Sequence, residues 1–200
     1  MTRELSIYKL GGGSDVLSGE PKGRLFFARL VSSVEIATEP MPLFLNFENV
    51  DLVTSSFFRA SILPFRDYAV GQLNLYPVLA NVSDDTVDEI RVVVEPLRDA
   101  VILCKLSPRR DITEARLVGT LDDKQRLTLE AVLKEKEADA GLLKKRTDTA
   151  RGQRTQQTEK ISINGWNNRL ATLVAKGLLI ETKRGRGKLY RPVLEFSYGR

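Results

Sequence analysis

The chain has 200 residues, 28% of them charged and 42% hydrophobic, with 31 Lys and Arg against 26 Asp and Glu for a formal charge of +5. This is the composition of a soluble globular protein long enough for one large domain or two small ones. The absence of histidine excludes Ser-His and Cys-His nucleophile pairs and His-ligated metals, and a single cysteine excludes thiolate zinc sites and intrachain disulfides. No stretch approaches the roughly 20 apolar residues of a membrane span, and Met1-Thr2-Arg3-Glu4-Leu5 has no signal-peptide character, so a cytoplasmic protein without membrane association is expected. The charge is unevenly spread. Residues 1–120 hold 13 basic and 16 acidic side chains, a net −3, whereas residues 121–200 hold 18 and 10, a net +8. Such separation points to a basic half that faces a polyanion.

In chain order, residues 5–10 predict a first strand. The Gly11-Gly12-Gly13-Ser14 that follows lacks the Gly-Lys-Ser/Thr ending of a P-loop and the spacing of a dinucleotide fingerprint, and reads as a flexible turn. After Pro21, Phe27, Leu30, Val31 and Val34 recur at helical spacing and predict a helix over about 22–36. The apolar run 42–47 predicts a central strand covered on both faces. Residues 57–63 predict a short helix that Pro64 ends or kinks. Residues 73–82 predict a strand in which Pro77 marks a bulge or an edge. Ser83 then caps a helix with the stripe Val87, Ile90, Val94 and Leu97; Asp84, Asp85, Asp88 and Glu89 complement the dipole at its start more economically than they would form a metal or acid/base cluster. Residues 100–106 form an apolar strand that buries Cys104 as a core thiol. Strands alternating with helices make residues 1–107 an α/β layer domain. Residues 108–120 read as a linker, with 112–121 a final strand or an extended connection.

The segment Leu43-Phe44-Leu45-Asn46-Phe47-Glu48-Asn49-Val50, followed by Val53-Thr54-Ser55-Ser56-Phe57-Phe58, resembles the STAS domain, in particular its STAS-like branch, where a hydrophobic strand leads to a Ser-Ser loop that opens a helix. The resemblance implies a layered sheet-and-helix fold and a protein-binding loop. In anti-anti-sigma STAS proteins the loop reads Asp-Ser-Ser-Gly and one serine is phosphorylated by a partner kinase; here Thr54 stands in place of the Asp and Phe57 in place of the Gly. The resemblance makes Ser55 and Ser56 candidates for regulatory phosphorylation, since a phosphate at a helix N-terminus would meet free backbone N–H groups. Read from the residues alone, Ser55 is a helix N-cap.

In the basic half, Asp122-Asp123 followed by helix formers predicts a helix to about residue 137, and a shorter helix holds Ala140, Leu142 and Leu143. Residues 147–160 are polar and read as a mobile loop whose Arg151 and Arg154 face phosphates. Ser162 caps a third helix with Ile163, Trp166, Leu170 and Leu173 on one buried stripe and Asn164, Asn167, Asn168, Ala171 and Thr172 on the other face. Such a face suits a major groove, where Asn pairs with adenine edges and Ala and Thr methyls touch thymine. Gly177 ends the helix, and 178–182, the basic tip 183–188 and 189–194 read as a hairpin.

Three helices and a basic hairpin, with Arg169-Leu170, Leu173-Val174 and Gly177-Leu178-Leu179 followed by a basic wing and Tyr190, resemble the winged helix-turn-helix family over about residues 121–195. The long segment before the third helix departs from the tight turn of that family. The resemblance implies duplex DNA as partner. Base contacts are expected from Asn164, Asn167, Asn168 and Thr172, and backbone or minor-groove contacts from Arg169, Lys176, Lys183, Arg184, Arg186, Lys188 and Arg191. Such modules usually read two half-sites, so a homodimer is compatible, though no residue pattern fixes its interface. The expectation is a non-enzymatic, cofactor-free DNA-binding regulator of transcription whose STAS-like half receives a signal or a protein partner. Two other functions fit the same residues: a partner-switching adaptor for a kinase or another protein, and a non-catalytic subunit of a nucleic-acid-processing complex from a phage-defence or mobile-element system.

Overall fold

A computed structural model of the chain describes residues 3–151, 161–185 and 187–196. Its first half runs β1 (Arg3–Ser6), α1 (Ile7–Leu10), β2 (Val16–Leu17), α2 (Glu20–Ser32), β3 (Met41–Asn46), β4 (Leu52–Val53), α3 (Ser55–Ala60), α4 (Ile62–Gln72), β5 (Leu75–Ala80), α5 (Asp84–Val94), β6 (Ala100–Leu106) and β7 (Ile112–Gly119). The second half runs α6 (Asp123–Glu135), α7 (Ala140–Arg151), α8 (Ile163–Ala175), β8 (Leu179–Arg184) and β9 (Gly187–Pro192). The class is α/β. A mixed sheet of order β1-β3-β5-β6-β7 forms the centre, parallel from β1 to β6 and closed by β7 antiparallel to β6. β2 and β4 make a small parallel pair of their own.

The central strands are apolar throughout because both faces of the sheet are covered. On one face Leu43, Leu45, Leu75, Leu79, Val101 and Leu103 join a core with Phe26, Leu30, Phe57, Phe65 and Ile90 from α2 to α5. The alternate residues Phe44, Tyr76, Val78, Ile102 and Cys104 join a second core with Leu129, Val132, Trp166, Leu170 and Leu173. The helices of the basic half thus form the second wall of the sheet. Burial pushes the Cys104 thiol up to about 11, as suits a core thiol. On the first wall, a Cβ at Gly23 would come within 2.9 Å of the Phe57 carbonyl and the Ala60 methyl, so glycine is what lets α2 lie this close to α3.

Several elements differ from the sequence expectations. The first strand stops at Ser6, whose hydroxyl accepts from the Lys9 amide and starts a helical turn that buries Ile7. The helix after Pro21 ends at Ser32, four residues before the expected boundary. The helix expected over 57–63 does break ahead of its proline, but at Ser61, between α3 and α4, because Pro64 can neither donate to nor pack against the Ala60 carbonyl in an unbroken helix. Pro64 itself lies in the first turn of α4, where a missing N–H leaves no bond unmade. Pro77 marks neither a bulge nor an edge, since β5 is the central strand. Its ladder with β6 covers only Leu79 and Ala80, so the missing N–H interrupts nothing on that side. Leu97 leaves the α5 stripe and is 59% exposed, because the helix ends at Val94. Of the two readings of 112–121, the final strand is the one found: residues 112–119 form β7. Residues 147–151 of the expected loop continue α7; 152–160 lie outside the described residues.

Candidate nucleic-acid interface

Helix α8 is defined at both ends by its own residues. The Ser162 hydroxyl accepts from the Gly165 amide at 3.1 Å. At the other end the Leu178 amide reaches the Leu173 carbonyl (3.0 Å) and the Gly177 amide the Val174 carbonyl (2.8 Å), with Gly177 at φ 72°, the left-handed closure that glycine permits. Between these caps Trp166, Leu170 and Leu173 are buried against α6, α7 and the sheet. Ile163, expected in that stripe, is 49% exposed, so the buried line begins a turn later.

On the opposite face Asn164, Asn167, Asn168, Ala171 and Thr172 are exposed. The three asparagine side chains have no hydrogen-bond partner among the described residues. The Thr172 hydroxyl donates to the Asn168 carbonyl at 2.9 Å, which leaves its methyl for an outside contact. After α8 comes the hairpin of β8 and β9, paired from Leu179–Pro192 to Arg184–Gly187. Its root is fixed by a two-way bridge between Ala138 and Tyr190, each amide donating to the other's carbonyl at 2.9 Å.

The expected cationic contacts divide into two groups. Lys183 and Arg184 are exposed at the hairpin tip and have no ion-pair partner among the described residues. Four others are engaged within the molecule. Lys188 pairs with Glu181 across the hairpin at 3.0 Å. Arg169 lies over the Trp166 ring, 5.6 Å from its centre. Arg191 donates to the Pro40 carbonyl at 3.5 Å. Lys176 turns inward to the Asp99 carboxylate (3.2 Å) and the Arg98 carbonyl (2.8 Å). Arg154 and Arg186 lie outside the described residues, as does the side chain of Arg151. The exposed Lys145 of α7, which has no ion-pair partner among the described residues, was not singled out from sequence because the basic run Lys144-Lys145-Arg146 precedes the segment read as a loop.

The Lys176 contact belongs to a buried cluster that ties the end of α8 to the first half. Arg66 of α4 donates to Asp99 at 2.8 Å and to Asp67 at 2.7 Å. Asp99 also accepts from the Ala100 amide at 2.8 Å. Burial alone would push the Asp99 carboxyl up, but the Arg66 hydrogen bond and charge, the Ala100 amide and Lys176 outweigh it and hold the group below its ordinary value. Burial likewise works against the Arg66 charge, and Asp99 and Asp67 reverse the shift, so its pKa is raised. These partners are 33 and 77 residues apart, so no local pattern in the sequence announces them.

At the serine loop Thr54, not Ser55, holds the N-cap position of α3, and its side chain makes no capping bond. The Ser55 amide instead donates to the Glu89 carboxylate of α5 at 2.5 Å, so the N–H that a phosphate would use is already engaged. Glu89, expected to complement the start of its own helix, lies beyond the first turn of α5, whose acidic residues are Asp84 and Asp85, and serves a neighbouring helix instead. Ser55 is half-buried; Ser56 is exposed in a surface depression that Arg24 and Arg59 also line.

No protein-family model matches this chain, and no curated protein or solved structure matches it either. Among the described residues no helix is long and apolar enough to cross a membrane, and no group of three or more Asp, Glu or Cys side chains is placed to hold a metal ion.

Proposed function

We propose that the chain is a DNA-binding regulatory protein. In this proposal the second half is a winged helix-turn-helix module with α8 as its recognition helix, and the first half, STAS-like in its strand–loop–helix order, receives a signal or a protein partner. The observation that carries it is the combination of an exposed asparagine face on α8 with exposed cations at the tip of the hairpin that follows it, none of them with a side-chain partner among the described residues. Asparagine reads adenine edges at about 1–3 kcal/mol for a good bidentate contact. Lys183, Arg184 and Lys145 supply attraction that is independent of sequence.

The engaged cations refine the expectation. Lys176 and Arg191 hold the two halves together, so the phosphate contacts fall to the hairpin tip and α7. If Lys183, Arg184 and Lys145 each neutralise one phosphate, log affinity against log salt has a slope near −3. The test is binding of the full-length chain to random duplex DNA by fluorescence anisotropy over a salt series. Reversing Lys183 and Arg184 to Glu should weaken binding at least tenfold for every sequence and flatten the slope by about 2. Asn167→Ala with Asn168→Ala should leave that non-specific term intact and reduce discrimination among sequences. No binding at low salt, or an affinity indifferent to salt, refutes the proposal.

A further inference from the structure

The helical wall of the first half carries a cavity of about 310 Å³ that takes no part in the DNA contacts proposed above. Its floor is apolar, made by the buried side chains of Leu17, Phe26 and Phe57. Its lining includes two cations, Lys22 and Arg29, and no carboxylate. Both are exposed, and neither has an ion-pair partner among the described residues, although the first half as a whole is net acidic. They stand seven residues apart on α2, roughly 10 Å along the helix. The Arg29 guanidinium donates to the Leu10 carbonyl at 3.3 Å, which holds it in place. The Ser18 hydroxyl, also in the lining, has no partner among the described residues. Two lining residues, Val16 and Leu25, are 45% and 66% exposed, large apolar side chains left in water at its edge.

A hydrated inorganic ion would satisfy the cations and leave the apolar floor and lip uncovered. A neutral apolar molecule would do the reverse and add nothing for Lys22 and Arg29. A molecule that carries both features meets all of the lining at once, by burying its apolar part over Phe26 and Phe57 and holding its charge beside Lys22 and Arg29. The volume lies at the lower end of the roughly 300–1,000 Å³ typical of small-molecule sites, which limits the ligand to a single ring or a short chain. We propose that this cavity binds a small organic anion, an apolar ring or short chain bearing a carboxylate or phosphate. The site is independent of the DNA contacts, and its test involves no DNA.

The test uses the full-length chain and four probes: phenyl phosphate and phenylacetate, with inorganic phosphate as the head group alone and phenol as the body alone. Amide shifts of Gly11, Ser18 and Lys22 report occupancy. At least one of the two amphipathic anions should bind saturably and at least tenfold more tightly than phosphate or phenol, and the tighter of them identifies the head group. K22Q/R29Q should weaken that binding at least tenfold. S18W, which fills the cavity and keeps both cations, should abolish it; both variants alter exposed or half-buried positions and should retain the native unfolding midpoint. Inorganic phosphate binding as tightly as phenyl phosphate, K22Q/R29Q binding as tightly as the native chain, or no saturable shift for either amphipathic anion up to about 10 mM overturns the proposal.

Discussion

One wall of the sheet is built from α2 to α5, which lie between the strands in the chain, and the other from α6 to α8 and the hairpin, which follow the last strand. The first wall surrounds an acidic half and the second belongs to a basic one, yet both rest on alternate residues of the same three strands. Phe44 and Leu45 are neighbours on β3 and belong to opposite cores. A sharp change in charge along a chain therefore need not mark a change of folding unit. The apolar runs of β3, β5 and β6 require cover on two sides, and the helices between the strands supply only one of them.

The sharpest attempt to break this comparison is to cut one wall at a time. Phe44→Ala should cost about 3–5 kcal/mol and Leu45→Ala about 2–5 kcal/mol. In both variants far-UV circular dichroism and Trp166 fluorescence should report a single coincident transition, because the two walls share a sheet. Separate transitions for the two probes would show that the walls unfold independently. Next in size is Asp99→Asn, which leaves Arg66 and Lys176 without their shared anion and should cost about 3 kcal/mol at neutral pH, toward the lower end for a broken buried pair because Lys176 stands near the rim. The sign of its pH dependence follows from the lowered carboxyl. The stabilisation is fully present above the ordinary carboxylate range and is lost as pH falls through the folded-state value, so the variant should lack that acid limb in urea titrations. Smallest are the helix caps, one from each wall. Ser83→Ala in the first wall and Ser162→Ala in the second should each cost about 1 kcal/mol by thermal unfolding.

What a segment's own period and caps determine was legible in the sequence. Strand β6, helices α5 and α8 with their caps Ser83 and Ser162, helix α6, and the β8–β9 hairpin have strong patterns and local terminators. So was the exposed asparagine face, because Trp166, Leu170 and Leu173 fix which side of α8 is buried. What a distant partner determines was not. Lys176 reads as a free cation until Asp99 is placed beside it, and Ser55 reads as a cap until the Glu89 carboxylate takes that role. The far end of helix α7, beyond the shorter helix expected around Ala140, Leu142 and Leu143, escaped for a different reason. Its last turns carry almost no apolar residue, and burial of Ala140 and Leu143 near its start anchors a helix that runs on through polar residues. Pro77 misled because it was judged by its neighbours in sequence. The short β5–β6 ladder that accommodates it is a property of the assembled fold.

The grip of Lys176 on Asp99 and the Arg98 carbonyl also has a geometric meaning. A 13-residue helix is roughly 20 Å long, and this one is pinned at its far end to a rigid sheet while the bridge from Ala138 to Tyr190 pins the neighbouring hairpin. No slack tether separates the asparagine face from the acidic half. Two copies joined through their first halves would carry their α8 helices like marks on a ruler, at one spacing and one tilt. If the chain binds DNA as proposed, the pitch of the double helix would then decide which pairs of sites both copies could occupy together.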